Sequence, residues 1–600
     1  MLLNPAFHFV IGLCLSIFVF LCVKKESQKL FQFAGVFSII FCSYWFLYWH
    51  CPIGHIAWII AAYLFPLACC AFLLFLSSIQ RTERTAKRSR FSPLKIVSFS
   101  ICNLLCIIIL CAVPWATTTF PLNNAEAVIF TLLSPAGGAE NFVWDSLEKD
   151  VLLKSSVLFT ALILFQLLFT EIMYHRKSGW QFHLRFLHYS LLPANTRLPI
   201  FIKFQKISLT LMFLYVIWLL SIALPIKSYY KTYATIIKGP TDSPLYLKHY
   251  IFPDSTKFTF SPVKKNLLVI FMESMETNFS PYTPELNRQE QENITFSPGG
   301  ANVSGTGWTI AAQIAKLCGI PLMLPTNLND GKLSSLVPYA KCLTDILAGK
   351  GYSQTYIQGS AATFASTKAF WERHGGVEVR DLKYYEQAKR FAPENEAFWG
   401  FDDFKLYQFI KDDISEISKD TAKPFAIYAI TIDTHVPYGH LSTQCGLQSV
   451  KKEEQYPKVL RCASLQIDDF LNWAKNQSWY KNTTIVIMGD HVTGILSPRA
   501  KISSGEQLYW IDLFINSEKA PTNTLRDFSS FDMFPTILEA MGVQIDGHAL
   551  GLGVSLFADK PTLLETYPQR ILDSLLSQKN NQYNYFLYGG SVKNKLKAHF

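Results

Sequence analysis

The sequence predicts a multi-span α-helical membrane domain over residues 1–226, followed by an α/β domain with a mainly parallel sheet over residues 263–600. Half of the 600 residues are hydrophobic and the mean hydropathy is positive, yet apolar runs of membrane-spanning length end near residue 226. Beyond residue 262, short apolar runs alternate with helix-like segments, which favours strands joined by helices. Residues 227–262 are therefore predicted to connect two domains of different kinds.

Six segments in the first domain are long and apolar enough to cross a membrane, because a span needs roughly 20 mostly apolar residues. A buried core helix would explain any one of them, but six in series favour membrane spans. The first lacks the basic start and the cleavage site of a signal peptide, so we interpret it as an anchor. The segments cover about residues 6–23, 31–50, 55–78, 96–118, 152–173 and 207–226.

The loops between these segments alternate in charge. Those after the first, third and fifth segments are basic, and the loop after the fourth is acidic. By the positive-inside rule the basic loops lie in the cytoplasm, which puts both termini and the second domain outside it. A topology with five spans and a cytoplasmic N-terminus is an alternative, and it would leave the later loops on the same sides of the membrane. The same rule explains much of the net charge of +10, so we do not interpret that charge as nucleic-acid binding.

The connector at 227–262 is rich in aromatic residues, which have two equally good interpretations. They could lie at the level of the lipid headgroups, or they could belong to a strap that packs against the second domain. The residues are Tyr229, Tyr230, Tyr233, Tyr246, Tyr250 and Phe252.

Five short apolar runs of the second domain are predicted to be strands, and helix-like segments separate them. In parallel sheets of this kind, sites form at the carboxyl ends of the strands. The predicted strands are 266–272, 354–358, 425–432, 483–488 and 509–515, and the predicted helices include 308–317, 340–349, 399–411, 462–475 and 531–541.

Three of these strands end in carboxylates and imidazoles. Glu273 follows the first strand, Asp433 and His435 follow the run at 425–432, and Asp490 and His491 follow the run at 483–488. An Asp-His pair after a single strand is usually a polar turn, but three such ends in one domain indicate a shared site. Two carboxylates and a histidine form a partial ligand shell for Zn²⁺ or Mn²⁺.

A glycine-rich loop with Gly305, Thr306 and Gly307 leads into the predicted helix at 308–317. Glycines let a backbone approach a ligand closely, and a helix N-terminus favours an anion such as phosphate. Thr309 lies at the beginning of that helix, where it could simply be a cap. A metal-bound threonine oxygen would instead be a competent nucleophile, because the metal lowers its pKa.

Taken together, these residues resemble the phosphoglycerol and phosphoethanolamine transferases of the alkaline phosphatase/sulfatase superfamily, a group that includes the lipoteichoic acid synthases. The strongest resemblance is to the phosphoglycerol transferases that decorate periplasmic glucans. It covers about residues 262–560 closely, and the first domain in architecture only. The segments that carry it are 305–310, 318–322, 356–359, 399–400 and 432–437.

The resemblance implies an alkaline-phosphatase/sulfatase-like fold and a role for each matching residue. One divalent metal ion, Zn or Mn, would be held by four residues, one of which is also the nucleophile. A histidine would contact the transferred phosphate, and three further residues would line the head-group pocket. The metal set is Glu273, Thr309, Asp490 and His491, with Thr309 as nucleophile; the phosphate contact is His435; the pocket set is Gln358, Phe364 and Trp399.

Two departures limit what carries over. The lipoteichoic acid synthases have a histidine, a tryptophan and an arginine where this chain has Gln358, Phe364 and Ser366. The glycerol contacts of those enzymes are therefore not expected here in the same form. The cysteine-containing nucleophile motif of the sulfatases is absent around Thr309, which argues against hydrolysis of sulfate esters.

The cysteines fall into two groups. Nine of the 13 lie in the apolar first domain, where we interpret them as small core residues. The other four lie in the second domain. An even number of cysteines in an exported domain is typical of disulfides, although free thiols are the alternative. The resemblance implies short pairs. The pairs would be Cys318–Cys342 and Cys445–Cys462.

The activity that the resemblance implies is transfer of a phosphoglycerol head group from phosphatidylglycerol, through a metal-activated threonine, to a hydroxyl of an extracytoplasmic glycan. The protein would lie in the bacterial inner membrane, with its catalytic domain in the periplasm. A phosphoethanolamine transferase that acts on lipopolysaccharide or another glycan is the first alternative. A non-catalytic membrane sensor or transporter is the second, and it would usually carry functional charges within its spans.

Overall fold

The computed structural model describes residues 93–119, 147–178, 194–223, 243–253, 258–323, 336–436, 438–451, 454–493 and 508–578, together with Tyr583 and Phe586. The chain divides into two compact units. The first comprises Met1–Ala116 and Trp144–Leu224, and the second comprises Thr117–Val143 and Pro225–Phe600.

Three long helices are described in the first unit: α1 (Pro93–Thr119), α2 (Lys154–Ser178) and α3 (Ala194–Ala223). Within the described residues, the segments Ser98–Ala116 of α1 and Phe201–Leu220 of α3 are long and apolar enough to cross a membrane. They overlap the predicted spans at 96–118 and 207–226, and α2 coincides with the one at 152–173 without meeting the same criterion. The three earlier spans lie outside the described residues. Two apolar helices do not establish a multi-span domain, which stays a prediction.

The second unit contains all the described strands and eleven further described helices, numbered here in chain order. The helices are α4 Pro244–His249, α5 Pro284–Glu292, α6 Thr309–Cys318, α7 Leu343–Ala348, α8 Thr367–Arg373, α9 Leu382–Gln387, α10 Asp403–Ile417, α11 Tyr456–Ala474, α12 Met533–Ala540, α13 Leu563–Thr566 and α14 Gln569–Leu576. The strands are β1 Phe258–Thr259, β2 Asn266–Met272, β3 Gly300–Ala301, β4 Ser353–Gln358, β5 Glu378–Arg380, β6 Phe425–Ile430, β7 Thr483–Gly489, β8 Tyr509–Trp510, β9 Asp512–Ile515, β10 Phe528–Ser529, β11 Gln544–Ile545, β12 Ala549–Leu550 and β13 Gly553–Val554.

The central sheet has six strands in the order β5-β4-β6-β2-β7-β9. The first five are parallel, and β9 runs antiparallel to β7 at the edge. The fold is therefore an α/β domain with a mixed sheet, which agrees with the prediction of a mainly parallel one. In register, Met272 of β2 lies beside Gly489 of β7, so the carboxyl ends of these strands meet at one edge.

Helices cover both faces of this sheet, and β2 shows why. All seven of its residues are buried. Leu267, Val269 and Phe271 point into one apolar core, which contains residues of α6 and α12. The alternate residues of β2 point into a second core, which contains residues of α10 and α11. A strand that is buried on both faces has a continuous apolar sequence, and this pattern predicted β2.

The predicted strand at 509–515 is wrong as a single element. The chain there divides into β8, which pairs with β3 in a small three-stranded sheet, and β9, which pairs with β7. Ile511 lies between them; its N–H donates to Met275 O, and its carbonyl accepts from Gly489 N. The apolar run is continuous because both strands are buried, so hydrophobicity alone does not reveal the change of sheet.

The connector packs as a strap wherever it is described. Tyr246 and Tyr250 are buried, and both rings lie within 6.3 Å of each other and of Phe586. The headgroup interpretation therefore fails for these two tyrosines, since aromatic packing inside the second unit removes them from solvent. Tyr229, Tyr230 and Tyr233 lie outside the described residues.

Two disulfides join the four cysteines of the second unit in the pairs Cys318–Cys342 and Cys445–Cys462. The first ties the C-terminus of α6 to the residue that caps α7. The second ties a short turn to the body of α11.

Replacing both Cys318 and Cys342 by serine is expected to lower the free energy of unfolding by about 3 kcal/mol, because the bond closes a loop of 24 residues in the unfolded chain. Denaturant titration of the oxidised protein measures this. The matched comparison is the Cys445→Ser/Cys462→Ser variant, which opens a loop of 17 residues and should lose a similar amount. Peptide mapping that found four free thiols would contradict the expectation.

Candidate active site

Glu273 directly follows β2 and is almost completely buried. Its backbone N–H donates to Thr431 Oγ1 at 2.9 Å, and its carbonyl accepts from Thr434 Oγ1 at 2.5 Å. Ser274 Oγ donates to Glu273 Oε1 at 2.7 Å. Ser274 itself has a φ of 50°, a left-handed conformation that costs energy for a residue with a side chain. The turn after β2 is thus held in one strained conformation, with Glu273 Oε2 turned toward Thr309.

Asp490 and His491 follow β7, beside Glu273. Asp490 Oδ1 accepts from the backbone N–H groups of Ser274 at 2.8 Å and of His491 at 2.7 Å. His491 Nδ1 lies 2.8 Å from Val492 O, and since a carbonyl only accepts, Nδ1 carries the proton. In the neutral ring Nε2 is then the unprotonated nitrogen, and it faces the site, 3.4 Å from Asp490 Oδ2 and 3.8 Å from Glu273 Oε1.

Thr309 completes the group from the first residue of α6. Its hydroxyl donates to Glu273 Oε2 at 3.3 Å and lies 3.5 Å from His491 Nε2. The loop before it is locked in place: Thr306 is buried, and Thr306 Oγ1 both donates to and accepts from the backbone of Val303. Gly305 has a φ of 80°, and a Cβ there would lie 2.6 Å from Pro321. These contacts explain why a glycine precedes the helix.

The four residues that are predicted to bind a metal lie close together in the structure. Ligand atoms of Glu273, Asp490 and His491 all lie within 4.8 Å of one another. Zinc bonds of about 2.0–2.2 Å would separate tetrahedral ligands by about 3.3–3.6 Å, close to the contacts just given. Asp490 Oδ2 is buried and accepts no hydrogen bond from the described residues. A buried carboxylate oxygen without a donor is what a cation would satisfy, so these residues fit a divalent ion.

The electrostatics of the group agree with this fit. Burial raises the pKa of Asp490 to about 7, and the charge of Glu273 acts in the same direction. Desolvation alone would lower the pKa of His491, but the charges of Asp490 and Glu273 outweigh it and raise that pKa. The Asp490 shift comes mainly from burial and the His491 shift from the neighbouring carboxylates, and both favour uptake of protons or a metal cation by the ion-free group.

His435 lies in the loop after β6 and is held by a different set of contacts. Its Nδ1 donates to Val436 O at 2.8 Å, and burial lowers the pKa of the ring to about 4. His435 is therefore neutral at physiological pH, with an unprotonated Nε2. Asp403 supports this loop, because its two carboxylate oxygens accept from the backbone N–H groups of Ile432 and Asp433. Asp403 is not among the predicted site residues, although it closely follows the Trp399-Gly400 segment.

Aromatic rings adjoin His435. The ring of Trp399 lies 4.9 Å from that of His435, and Phe364 lies 5.9 Å from Trp399. Phe398, which the sequence analysis did not single out, lies 6.3 Å from His435. We call Phe364, Phe398 and Trp399 the aromatic wall. The adjoining Gly400 cannot be replaced without disruption, since a Cβ there would lie 2.0 Å from Gly359 O.

Gln358 ends β4 and is buried, but its amide is already engaged. Gln358 Oε1 accepts from the Tyr356 hydroxyl at 2.8 Å, and Nε2 donates to the carbonyl and the hydroxyl of Ser360. A direct contact with a head group would compete with these bonds. In this structure Gln358 supports the edge of the site.

Cys342, Asp345 and His374 also have ligand atoms within 4.8 Å of one another. Cys342 is bonded to Cys318 in the disulfide, so its sulfur is not a metal ligand in this state. Glu273, Asp490 and His491, with Thr309, remain the metal group that the structure supports.

A family model and curated relatives match part of this chain. The sulfatase family model matches residues 265–543. Phosphoglycerol transferase I of Xanthomonas campestris pv. campestris is 28% identical over 314 residues, which cover 49% of this chain and 43% of that protein. Phosphoglycerol transferase I of Escherichia coli is 30% identical over 310 residues, which cover 50% of this chain and 39% of that protein. The chain thus spans less than half the length of these curated relatives.

Two solved structures are also similar to part of this chain. A protein of the alkaline phosphatase superfamily from Vibrio parahaemolyticus matches with a TM-score of 0.39 and 21% identity, over 52% of this chain and 75% of that one. The lipoteichoic acid synthase LtaP of Listeria monocytogenes matches with a TM-score of 0.40 and 16% identity, over 56% of this chain and 82% of that one.

Proposed function

Because residues 265–543 form a sulfatase-family domain, we propose that this protein transfers a phosphoglycerol head group from phosphatidylglycerol to a hydroxyl of an extracytoplasmic glycan. The observation that carries the proposal is the position of the Thr309 hydroxyl. It lies at the N-terminus of α6, 3.3 Å from Glu273 and 3.5 Å from His491. A nucleophile in that position would meet a phosphate ester in front of the free N–H groups of the helix. The relatives named phosphoglycerol transferase I support a glycerol head group.

In the first step, Thr309 Oγ forms a bond to the phosphorus of the donor lipid, and the bond from phosphorus to diacylglycerol oxygen breaks. The hydroxyl proton leaves along the contact with Glu273 and is returned to the diacylglycerol oxygen, so that diacylglycerol departs neutral. A divalent cation bound by Glu273, Asp490 and His491 would lower the pKa of the hydroxyl and offset phosphoryl charge. The product on the protein is a phosphoglyceryl ester of Thr309.

In the second step, an acceptor hydroxyl attacks the same phosphorus and the ester to Thr309 breaks. The acceptor proton has a site to go to, because His435 is neutral and its Nε2 is unprotonated. Once protonated, the ring can donate to a phosphoryl oxygen. The proton taken up by His435 then passes to the departing Thr309 oxygen, and the net reaction converts donor and acceptor into diacylglycerol and a phosphoglycerol-substituted glycan.

The proposed location is the bacterial inner membrane, with the catalytic domain in the periplasm. Two apolar helices of the first unit and the alternation of basic loops support it. A membrane anchor would hold the site near a lipid donor. The two disulfides of the second unit also suit an oxidising compartment.

The aromatic wall favours a second candidate donor. Trp399 and Phe398 lie next to His435, and aromatic faces attract an ammonium group. Phosphatidylethanolamine would present such a group to the wall, whereas phosphatidylglycerol would present hydroxyls. The chemistry at phosphorus would be unchanged.

A competition between labelled donors tests the proposal. The full-length protein in mixed micelles receives phosphatidylglycerol and phosphatidylethanolamine with distinguishable head-group labels, and the loss of each labelled lipid is measured. We expect phosphatidylglycerol to be consumed at least about 10-fold faster. Faster use of phosphatidylethanolamine would replace the donor. Consumption of neither lipid, with metal bound, would remove the transferase proposal and leave a binding domain.

A further inference from the structure

A chain of buried hydrogen bonds runs through the second unit behind the site. Trp371 Nε1 donates to Gln313 Oε1 at 3.1 Å, and Gln313 Nε2 donates to the Tyr356 hydroxyl at 3.1 Å. Tyr356 donates to Gln358 Oε1 at 2.8 Å, and Gln358 Nε2 donates to Ser360. We call these five residues the relay. Its first four members are buried.

The direction of the relay is determined by its two ends. The indole of Trp371 can only donate, which orients the Gln313 amide with its nitrogen toward Tyr356. The carbonyl of Ser360 can only accept, which orients the Gln358 amide in the same sense. Tyr356 must therefore donate toward Gln358. Buried polar networks that are satisfied in one arrangement rigidify the elements that they join.

The relay joins the two elements on which the proposed reaction depends. Gln313 lies one helical turn after Thr309 on α6, so it belongs to the nucleophile's helix. Gln358 directly precedes the segment 359–366, which we call the pocket loop, and Ser360 lies near its beginning. The pocket loop carries Phe364, whose ring packs against Trp399 beside His435.

The pocket loop needs to be held. Ala365 and Ser366 have φ values of 51° and 58°, and side chains make this left-handed conformation unfavourable. Such strain persists only where surrounding contacts maintain it, and it is common at ligand sites. Two anchors do so here: Gln358 bonds to Ser360 at one end, and Asp381 accepts from Ala362 N–H in the middle.

From these contacts we propose that Tyr356 is a positioning residue, which through the relay sets the pocket loop, and with it Phe364, at a fixed distance from Thr309. The inference rests on the proposed function, because it assigns the pocket loop to the head group of the donor. Tyr356 does not touch the reacting atoms. It acts through Gln358, and this explains why the amide of Gln358 is engaged internally.

The neighbouring strand offers a matched control. Tyr428 pairs with Tyr356 in register, is equally buried, and donates to a glutamine, Gln354 Oε1, at 3.0 Å. Gln354 then donates to Thr344 O, so this second chain leads to α7 and away from the pocket loop. Tyr356→Phe and Tyr428→Phe both remove one buried hydroxyl from the same layer of the sheet.

The experiment compares the two variants in the full-length, metal-loaded protein. For Tyr356→Phe we expect the KM for phosphatidylglycerol to rise about 10-fold, a loss typical of one buried hydrogen bond, while kcat changes less. Hydrogen exchange of the amides at 360–366 should also become faster. Tyr428→Phe should leave KM and this exchange near wild type, although both variants lower the melting temperature.

If Tyr356→Phe does not fold, Ser360→Ala is a less disruptive substitution, because it removes only the acceptor hydroxyl at the half-buried end of the relay. It should raise KM about 3-fold with the same local change in exchange. Equal kinetics and equal exchange for Tyr356→Phe and Tyr428→Phe would overturn the positioning role. A wild-type protein that releases no diacylglycerol would instead overturn the proposed function. The hydrogen-exchange measurement would still show whether Tyr356 holds the pocket loop.

Discussion

Replacing Thr309 by alanine is expected to lower diacylglycerol release from phosphatidylglycerol by at least about 1,000-fold, because it removes the atom that attacks phosphorus. The substitution should leave the fold intact. The side chain is only partly buried, and its hydroxyl contacts Glu273 and His491 rather than the apolar core. An unchanged melting temperature, measured with Glu273, Asp490 and His491 saturated by excess metal, would show that the loss is chemical.

Thr309→Ser is the control, since it restores the hydroxyl at the same position and should keep activity within about 10-fold of wild type. Thr306 is a less suitable control than its sequence position indicates. It is buried and bonds twice to Val303, so Thr306→Ala tests the loop that supports α6. Thr306→Ser preserves those bonds and should be nearly silent.

The covalent step has a signature of its own. With head-group-labelled donor and no acceptor, the wild-type protein should retain label on the peptide that contains Thr309, provided that the ester outlives its hydrolysis. Thr309→Ala should retain none. If Thr309→Ala kept more than about a tenth of the activity, direct attack by the acceptor hydroxyl would replace the two-step mechanism.

The grouping of Glu273, Asp490 and His491 could be predicted because strand ends are easy to recognise in this sequence. The predicted strand at 266–272 coincides with β2, since a continuous apolar run is bounded by Lys265 and Glu273. The same reasoning places Asp490 and His491 directly after β7. Parallel strands then bring these ends together without any knowledge of tertiary contacts.

The supporting contacts could not be predicted in this way. Gln313 and Tyr356 are 43 residues apart, and nothing in the local pattern of either residue indicates that they bond. The engagement of Gln358 by Ser360 follows from a loop conformation that includes two strained residues. Buried polar networks depend on how helices are placed on a sheet, and hydrophobic periodicity does not report that placement.

Asp490→Asn is expected to weaken the affinity for Zn²⁺ or Mn²⁺ by more than about 100-fold, and activity should fall in proportion to metal content. Asparagine keeps an oxygen that can accept from Ser274 N and His491 N, so the turn is preserved. What it lacks is the charge on the buried oxygen that has no donor among the described residues. Metal analysis after dialysis, with back-titration of each ion, measures the loss.

In the metal-free protein, Asp490→Asn is expected to raise the free energy of unfolding at alkaline pH. Burial raises the pKa of Asp490 from its ordinary value of 3.8 to about 7, so the folded state binds a proton more tightly than the unfolded chain does. The wild-type group therefore destabilises the metal-free fold progressively as the pH rises from about 4 to 7, and fully above that range. Asparagine does not titrate, so the variant should be the more stable protein at pH 8 after chelation, and the less stable one when metal is in excess. If the variant kept both its metal and its activity, Asp490 would not be a ligand. If the wild type remained the more stable protein after chelation, groups of the protein would already compensate the charge of the Asp490 carboxylate without a metal ion.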